Sequence, residues 1–562
     1  MSTEQHRPWI ESYPDDVPLN VDTRQYRNLY HLFVSVCRTY ERRTAYISLE
    51  SSITFGQLAK DVDAFSAYLQ TKLGLKKGDR LAVIMPNLIQ YPIAVFGALK
   101  AGLVVVNINP LYTPREMQGV LKDSKATAVV AFEQCAKGLL EVKNETCLKH
   151  IIVTSLGDKL GPVKGAVFNF VLRYLKKAVP HYNRQETISF SSMLKEGRSL
   201  PLSQPLCTYD DLAFLQYTGG TTGSPKGAML SHGNILSNIA QILGMYGMVL
   251  RAGQEVILTP LPLYHIFSMT VNLFFAFTIA ATNILVVDPR RIRTLGRIMG
   301  KHPEISAITG VNTLYNGLLL KGIFDRVKLP NLKLAVAGGA AVQSGVAERF
   351  FNATGQHLLE GYGLTECSPV VCVNPHTDRV FNGSIGIPVP NTLARIIDGN
   401  GKEIWELNTP GELEFKGPQV MLGYYNNEKD NAAVRDGEWI RTGDVAVWLE
   451  GGYLKIIDRI KDMILVSGFN VFPSEIEDVV SHNKRVAECA CVGVPSEATG
   501  EAIKLFVVKK DETLSEDELK DYCRIYLTGY KMPKIIEFVS RLPKSPVGKV
   551  MRRYLKQNRI TD

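Results

Sequence analysis

The sequence has 562 residues, 45% of them hydrophobic, and a formal net charge of +9. A chain of that length is too long to fold around one hydrophobic core, so we expect several domains. The composition excludes a disordered, collagen-like or low-complexity chain. The positive charge suits polyanionic ligands or an anionic membrane surface and does not decide between them.

The cysteines and the N-terminus both indicate the cytoplasm. Nine cysteines are scattered without a CxxC pair, a pattern typical of reduced thiols. The opening stretch MSTEQHRPWIESYPDD is polar and lacks the apolar centre of a signal peptide.

The first long region alternates strands with helices. Residues 80–86 and 103–110 are typical of buried strands, and a helix is predicted between them at 87–101. Further apolar strands are predicted at 126–132, 150–155, 255–259, 283–288, 305–310 and 332–339. Strands separated by helices predict parallel sheets with right-handed crossovers, and hence an α/β protein.

Residues 161–180 predict an amphipathic helix with a basic side. Phe168, Leu172 and Leu175 share one face, and basic residues occur at 173, 176 and 177. Such a helix suits contact with anionic lipid. A helix that packs between domains with a basic rim has the same pattern, so the sequence leaves both open.

A loop rich in glycine and threonine follows the apolar strand at 212–216. Its sequence, YTGGTTGSPKGAML, spans residues 217–230. Glycines let backbone N–H groups approach a polyphosphate closely, while the hydroxyls and Lys226 add donors and charge. It is not a Walker A loop, because Lys226 follows Pro225 and no Ser or Thr comes after it.

Residues 256–287 contain no acid, Lys or Arg, which is long enough to cross a bilayer. Pro260, Pro262 and several polar residues interrupt the run. We therefore predict a turn, a buried helix at 267–280 and a strand at 283–287 instead of a membrane span.

The pattern changes near Asp458. Strands predicted at 463–467, 487–494 and 503–510 mix with helices. Ser515 begins a capping box for a helix that runs to Leu527, and Gly529 lies just past its end. We predict a small α+β domain over residues 458–562 after a large domain over 1–457.

Seven motifs in order give the chain a resemblance to a known family. TGGTTGSPKG at 218–227 resembles the phosphate-loop signature of adenylate-forming enzymes, which include acyl-CoA synthetases, peptide-synthetase adenylation domains and luciferases. The other six are LPLYHIF (261–267), GYGLTE (361–366), GELEFKGP (411–418), RTGD (441–444), IDRIKDMILVSGFNVFPSEIE (457–477) and PKSPVGKVMRR (543–553). The resemblance covers nearly the whole chain. It implies a large N-terminal domain of parallel-sheet α/β subdomains and a small, mobile C-terminal α+β domain.

The resemblance implies a nucleotide site for ATP and AMP. Its implied residues are Thr218, Gly219, Gly220, Thr221, Thr222, Gly223, Lys226, Gly338, Gly361, Tyr362, Gly363, Thr365, Asp444 and Arg459. Tyr362 beside glycines can lie flat against a purine, and the Asp444 carboxylate can accept hydrogen bonds from two ribose hydroxyls. Glu366, with Thr222, can hold Mg²⁺ on the phosphates.

Lys549 is the implied adenylating lysine. Residues 544–559 carry six Lys or Arg and no acid, which on charge alone indicates a solvated tail or a nucleic-acid contact. In the family this lysine reaches the substrate carboxylate and the α-phosphate, where a cation stabilises the charge of two anions that meet. The small domain then rotates about a hinge, here Asp458, and brings Gly468 to the pantetheine arm of CoA.

The acid is implied to be a long, unbranched fatty acid. Residues 436–462 resemble the signature of fatty acyl-CoA synthetases, except at Ile460, where a basic residue is common. His265 would close the wall between the acyl pocket and the adenylate, and Gly310 and Val311 would line the pocket. His265, Glu366 and Lys549 are thus the implied catalytic residues.

The predicted function is ATP-dependent activation of long-chain fatty acids to acyl-CoA through an acyl-adenylate, with release of AMP and pyrophosphate and with Mg²⁺ as cofactor. One alternative is a fatty acyl-AMP ligase that loads a carrier protein. Another is a non-catalytic basic membrane- or nucleic-acid-binding protein, although no zinc, helix-turn-helix or aromatic-basic pattern supports it. We expect a cytoplasmic protein, peripheral on the membrane, homodimeric and without a nucleic-acid partner.

Overall fold

The computed structural model describes residues 6–218, 225–496, 499–545 and 548–557. Strands in these residues form four sheets. The first contains most strands predicted before residue 220, and its parallel centre is buried on both faces because those strands are continuous apolar runs. In spatial order its strands are Gly423–Tyr424, Lys226–Ser231, Leu212–Thr218, Val104–Asn107, Arg80–Ile84, Ala128–Phe132, His150–Thr154 and Ile188–Ser189.

The second sheet has nine strands with a parallel centre and antiparallel pairs towards both edges. In spatial order they are Ile387–Pro388, Val370–Val373, Leu358–Gly363, Leu334–Gly338, Ala307–Gly310, Val256–Thr259, Thr282–Leu285, Thr44–Ser48 and Ser51–Thr54. The predicted strands at 255–259, 283–288, 305–310 and 332–339 all lie in this sheet.

The third sheet is antiparallel. Its strands are Glu403–Ile404, Leu393–Ile397, Gly411–Lys416, Trp439–Trp448, Arg435–Asp436 and Leu454–Arg459. Asp458 and Arg459 end the last of these strands, so the predicted domain boundary falls inside a sheet pairing. That boundary stays a prediction.

Helices cover the faces of the sheets. In the described residues before Arg459 the longer ones are Leu29–Thr39, Phe55–Thr71, Gln90–Lys100, Pro114–Ser124, Ala136–Val142, Pro162–Phe170, Phe190–Gly197, His232–Tyr246, Ile292–Lys301, Asn312–Leu320, Ser344–Thr354 and Glu428–Val434. The α/β fold predicted from strand–helix alternation is confirmed.

The charge-free run at 256–287 divides as predicted into a strand, a turn, a buried helical segment and a second strand. The helical segment is irregular: short α-helical turns, Ile266–Ser268 and Ala276–Thr278, flank the π-helix Met269–Phe275. Within the described residues no helix is long and apolar enough to cross a membrane.

The helix predicted at 161–180 forms, but with a different exposed face. It consists of the α-helix Pro162–Phe170 followed by the π-helix Val171–Leu175. Phe168 and Leu172 are half-buried, whereas Leu175 is exposed together with four residues that sequence reasoning did not select. Arg173, one of the three predicted basic residues, turns inwards and forms an ion pair with the buried Glu133.

The residues that follow Arg459 are here called the C-terminal region, and those of them that the structure describes form the fourth sheet and three α-helices. The strands are Phe469–Val471, Ile464–Val466, Gly500–Lys509, Val486–Ser496 and Ile535–Phe538, and the helices are Pro473–Ser481, Glu516–Tyr526 and Arg552–Lys556. The predicted capping box is present, because the side chains of Ser515 and Glu518 each accept a hydrogen bond from the backbone N–H of the other residue. Mixed strands and helices confirm the α+β character of this region.

Candidate active site

A cavity of about 400 Å³ opens where the second sheet, the third sheet and the C-terminal region meet. The carboxyl ends of parallel strands form its floor, as is usual for ligand sites in α/β proteins. Its wider end carries polar and charged side chains, and its other end is apolar.

Glycines flatten the floor of the polar end. Gly338 and Gly361 lie side by side in parallel strands. A Cβ atom on Gly338 would approach the Gly361 carbonyl oxygen and the Phe267 ring at 3.0 Å, and one on Gly363 would lie 2.0 Å from the Pro369 carbonyl oxygen. A Cβ atom would collide with backbone at Gly363 and would be crowded at Gly338, so glycine keeps this floor free of side chains and an aromatic ring or a base can approach the backbone closely.

Tyr362, Asp444 and Arg459 form one polar group beside that floor. The Tyr362 hydroxyl donates to the Asp444 carboxylate, and Arg459 Nε lies 3.0 Å from Asp444 Oδ1. Burial, and then the charge of Asp444, raises the pKa of Tyr362, which therefore remains a donor. Asp444 lies behind Tyr362 and Arg459, both of which line the cavity.

A second polar group lies at the end of the strand that leads into the glycine-rich loop. The Tyr424 hydroxyl donates to Glu366 Oε1 at 2.5 Å. Lys226 Nζ lies 2.8 Å from Asp430 Oδ2 and 5.5 Å from the centre of the Tyr424 ring. Thr218, Lys226 and Glu366 all line the cavity, so a carboxylate and an ammonium group face the same space.

Lys549 enters the cavity from the C-terminal region. Desolvation, and then the nearby Arg459, lowers the pKa of Lys549 to about 8. Desolvation also lowers the pKa of Lys461, which lines the same cavity. With Lys226 and Arg459, four basic side chains thus line one space, an arrangement that suits a polyanion.

His265 stands between the polar and apolar ends. Desolvation, and then Lys549, lowers the pKa of His265 to about 4, so its imidazole is neutral near pH 7. Its Nδ1 accepts a hydrogen bond of 3.4 Å from the Phe267 backbone N–H, which fixes the ring at the start of a helical turn.

The apolar end follows the strands of the second sheet back towards their N-terminal ends. Ile257, Ala307 and Leu334 lie in register in three neighbouring strands and line this end. Leu334 is four residues before Gly338, so the cavity extends about 13 Å along one strand. Side chains from the helix His232–Tyr246 close the other side at Ile242 and Tyr246.

Polar contacts hold the Lys549 segment in place. Thr313 Oγ1 donates to the Gly548 carbonyl oxygen at 3.0 Å, which joins the segment to the large region. Arg552, three residues after Lys549, donates to both oxygens of the buried Glu477 at 2.8 and 2.9 Å. Glu477 lies on the helix Pro473–Ser481.

The same helix connects the segment to Asp458. Asp458 Oδ2 accepts a hydrogen bond of 3.0 Å from the Ser474 backbone N–H, at the N-terminus of that helix. Asp458 Oδ1 accepts from the Arg459 backbone N–H at 2.7 Å. Asp458, the helix and Arg552 therefore form a continuous connection to Lys549.

The structure brings most of the predicted site residues together. Those that line the cavity are Thr218, Lys226, His265, Val311, Gly338, Gly361, Tyr362, Gly363, Thr365, Glu366, Arg459 and Lys549. Gly219, Gly220, Thr221, Thr222 and Gly223 lie outside the described residues.

Besides Asp444, two of the predicted binding residues that the structure describes do not line the cavity. Gly310 does not line it, because its α-carbon faces Tyr315 and Leu314 on the other side of the sheet, 2.8 and 3.1 Å from a Cβ placed there. Gly468, with Ser467, forms the left-handed turn of a hairpin, and nothing lies within 4 Å of its Cβ position.

Sequence reasoning missed Lys461, Tyr424 and Asp430. Lys461 stands next to Ile460, where the family commonly has a basic residue, so the adjacent charge was a usable signal. Tyr424 and Asp430 belong to no motif, and only the fold places them beside Glu366 and Lys226.

Comparison with known proteins gives a consistent result. A family model described as AMP-binding enzyme matches residues 33–425, and one described as AMP-binding enzyme C-terminal domain matches residues 475–549. A Salmonella typhimurium protein named long-chain-fatty-acid–CoA ligase is 49% identical over 549 residues, which cover 98% of this chain and 97% of that protein. A Bacillus subtilis protein of the same name is 35% identical and covers 98% of both chains. The structure of a benzoate CoA ligase from Burkholderia xenovorans matches with a TM-score of 0.81 at 26% identity, covering 94% of this chain and 100% of that one.

Proposed function

The chain belongs to the AMP-binding enzyme family, and from that premise we propose that it activates long-chain fatty acids with ATP and transfers them to CoA. One observation carries the proposal: a single cavity joins a polar end at Lys549 to an apolar end at Leu334. The names of the curated relatives support the long-chain acid and CoA as substrates. The protein is thus an AMP-forming acid–thiol ligase.

We assign the nucleotide to the polar end. The purine lies on Gly338, Gly361 and Tyr362, and the ribose hydroxyls donate to Asp444 with Arg459 beside them. Lys226 and the loop at 218–223 take the phosphates, so ATP replaces Asp430 as the partner of Lys226. These roles follow from the resemblance and the cavity lining.

Glu366 fits a magnesium ion. Mg²⁺ is commonly held by one or two carboxylates together with substrate phosphates, and Glu366 faces the cavity on the side of Lys226. When bound, Mg²⁺ neutralises charge on the phosphates. Thr222 is the second proposed ligand.

In the first step a carboxylate oxygen of the fatty acid attacks the α-phosphorus of ATP. A new O–P bond forms, and the bond to pyrophosphate breaks, which leaves the acyl-adenylate. Lys549 stabilises the negative charge that develops where the two anions meet. The neutral His265 packs beside the reacting carboxylate without adding a further charge.

In the second step the CoA sulfur attacks the acyl carbon, and the bond to AMP breaks. Lys549 now occupies space that the pantetheine arm needs. We propose that the predicted small domain, residues 458–562, rotates about Asp458 and brings Gly468 to that space. The open surroundings of Gly468 leave room for the arm.

The deciding assay is AMP release from purified protein with ATP, Mg²⁺ and fatty acids from hexanoate to octadecanoate, with and without CoA. CoA-dependent turnover that is greatest with the long chains is expected. Pyrophosphate exchange without CoA-stimulated AMP release would instead indicate the carrier-protein ligase. Absence of turnover with every acid would overturn the proposal.

We also propose a cytoplasmic protein that contacts the membrane peripherally and forms a homodimer. Long acyl chains partition into bilayers, which supports a position at the membrane surface. The homodimer rests on the family resemblance, and light scattering of the purified protein tests it.

A further inference from the structure

The helix Pro162–Phe170 and the π-helix after it present a continuous apolar surface to solvent. We call Val163, Val167, Phe170, Tyr174 and Leu175 the apolar ridge. Their exposed fractions are 77%, 59%, 55%, 62% and 69%. The first four follow the spacing i, i+4, i+7 and i+11, so they lie on one helix face. Five large exposed side chains within thirteen residues exceed the scattered apolar residues of an ordinary surface.

The opposite face of the same helix is fixed tightly to the protein. A Cβ atom on Gly165 would lie 2.2 Å from the Gly157 carbonyl oxygen, so the helix approaches the preceding turn at van der Waals distance. The Gly157 backbone N–H donates to Asn169 Oδ1 at 2.9 Å. Arg173 adds an ion pair of 2.8 Å with the buried Glu133. These contacts of the opposite helix face therefore keep the apolar ridge directed towards solvent.

Positive charge surrounds the ridge. Residues 159–185 include six Lys or Arg and no acid. Three of the six form ion pairs: Lys159 with Asp61, Lys164 with Glu50, and Arg173 with Glu133. Lys176 and Lys177 are exposed beside Leu175 and form no ion pair within the part of the chain that the structure describes.

We propose that the apolar ridge docks this protein on an anionic phospholipid bilayer. Valine, phenylalanine and leucine side chains enter the acyl boundary, Tyr174 lies at the headgroup level, and Lys176 and Lys177 meet the phosphate groups. The proposal rests on the proposed function for its purpose, since the bilayer is where a long-chain acid resides. Binding to lipid is nevertheless measurable without catalysis.

Charge argues against a second copy of the chain as the occupant. A two-fold dimer through this face would place the ridge of one copy on the ridge of the other. The lysines of both copies would then converge, and like charges at an interface oppose association. An anionic bilayer instead complements both the apolar ridge and the lysines beside it.

The test is co-sedimentation of the full-length protein with vesicles of phosphatidylglycerol and phosphatidylcholine, compared with phosphatidylcholine alone. The double variant Val167→Ser/Phe170→Ser should reduce partition at least about tenfold, because it removes two inserted side chains. Lys176→Gln/Lys177→Gln should reduce it about twentyfold on anionic vesicles at low salt and little on neutral ones. Met248→Ser is the matched control, since Met248 is exposed but lies outside the ridge.

The outcomes separate this inference from the proposed function. Turnover of octanoate, which does not require a bilayer, should be unchanged in both double variants, and absence of turnover with every fatty acid in wild type would count against the function alone. Equal vesicle binding by wild type and both double variants overturns the docking proposal. So does a change from dimer to monomer in the ridge variant without a change in vesicle binding, which would assign the ridge to a second copy.

Discussion

The large region builds its side of the cavity from strand ends and glycines, whereas the C-terminal region contributes one short segment around Lys549. The floor at Gly338, Gly361 and Gly363 is backbone that neighbouring strands hold on both sides. The Lys549 segment is joined to the large region through the side chain of Thr313, while Arg552 holds it within the C-terminal region. Backbone pairing fixes a surface permanently, while a few polar contacts can be broken and made again. The difference suits the proposed mechanism, in which the nucleotide platform is fixed and the Lys549 cation leaves between two steps.

Removing the mobile cation should produce the largest effect. We expect Lys549→Ala to slow adenylation about 100- to 1,000-fold, the loss typical of one group that stabilises transition-state charge. Conversion of synthetic acyl-adenylate and CoA to acyl-CoA should change only a few-fold. Pyrophosphate exchange measures the first step, and Lys556→Ala, an exposed lysine nearby, is the control. Equal losses in both steps would contradict the proposal that Lys549 acts in adenylation and leaves the site before thioester formation.

Restricting the hinge should affect the steps in the opposite order. Asp458→Pro fixes one backbone angle and removes the carboxylate that accepts from Ser474. We expect thioester formation to fall about tenfold more than adenylation, because misplaced groups lose rate steeply. Asp458→Ala, which keeps the backbone free, should retain most of the second step. If both steps decline equally in Asp458→Pro, the two-state hinge loses its support.

The pH profile should also separate the steps. Lys549 acts as a cation, and its lowered pKa of about 8 means that the charge is lost as pH rises through that value. Adenylation should therefore decline above about pH 8, by about tenfold per unit, while thioester formation from acyl-adenylate should not. Lys549→Arg should shift the decline to higher pH if it folds and turns over. A flat profile up to pH 10 would contradict the assignment.

Weakening the anchor of the segment should produce a smaller loss. Glu477→Gln removes the charge that Arg552 pairs with, while amide hydrogen bonds remain. We expect adenylation to fall about tenfold or less, because Lys549 stays present but is less well positioned. The readout is the ratio of the two half-reactions, with the melting temperature measured alongside. Glu475→Gln, whose partner Lys531 lies on the surface, is the matched control.

The exposed contact between the regions should matter least. Ser344 Oγ lies 2.8 Å from His482 Nε2 at the solvent-accessible edge of the interface. Exposed polar contacts contribute about 1 kcal/mol or less, so Ser344→Ala should slow adenylation about fivefold at most. Single-turnover adenylation measures it. A loss as large as that of Lys549→Ala would show that this edge, and not the Lys549 segment, holds the closed arrangement.

The sequence predicted the positions of strands and helices better than it predicted which strands are neighbours in a sheet. Apolar runs such as Arg80–Ile84 located strands because burial on both faces leaves a continuous pattern. Strand order was not predicted, since any of the parallel strands could pair with several others. Motif residues such as Tyr362 reach the cavity because they lie at strand ends, whereas Lys549 lies on a segment between a strand and a helix.

The contacts that the sequence could not supply come from distant parts of the chain. Asp430 meets Lys226 across about two hundred residues, and no local pattern encodes that pair. The exposed face at 163–175 was misjudged for a related reason. Helical periodicity predicts which residues share one face of the helix. The contact between Gly157 and Gly165 decides which face packs against the protein.

In the proposed function, the row of Ile257, Ala307 and Leu334 lies at one depth of the acyl end of the cavity. Each residue along a strand corresponds to a fixed length of acyl chain. The proposed nucleotide floor lies at the opposite end of the same strands. Substitutions in this one row can therefore lengthen or shorten the acid that fits while every atom facing the nucleotide keeps its place. Chain-length preference and adenylation chemistry are thus separable within a single sheet, and related enzymes can diverge in substrate without rebuilding their chemistry.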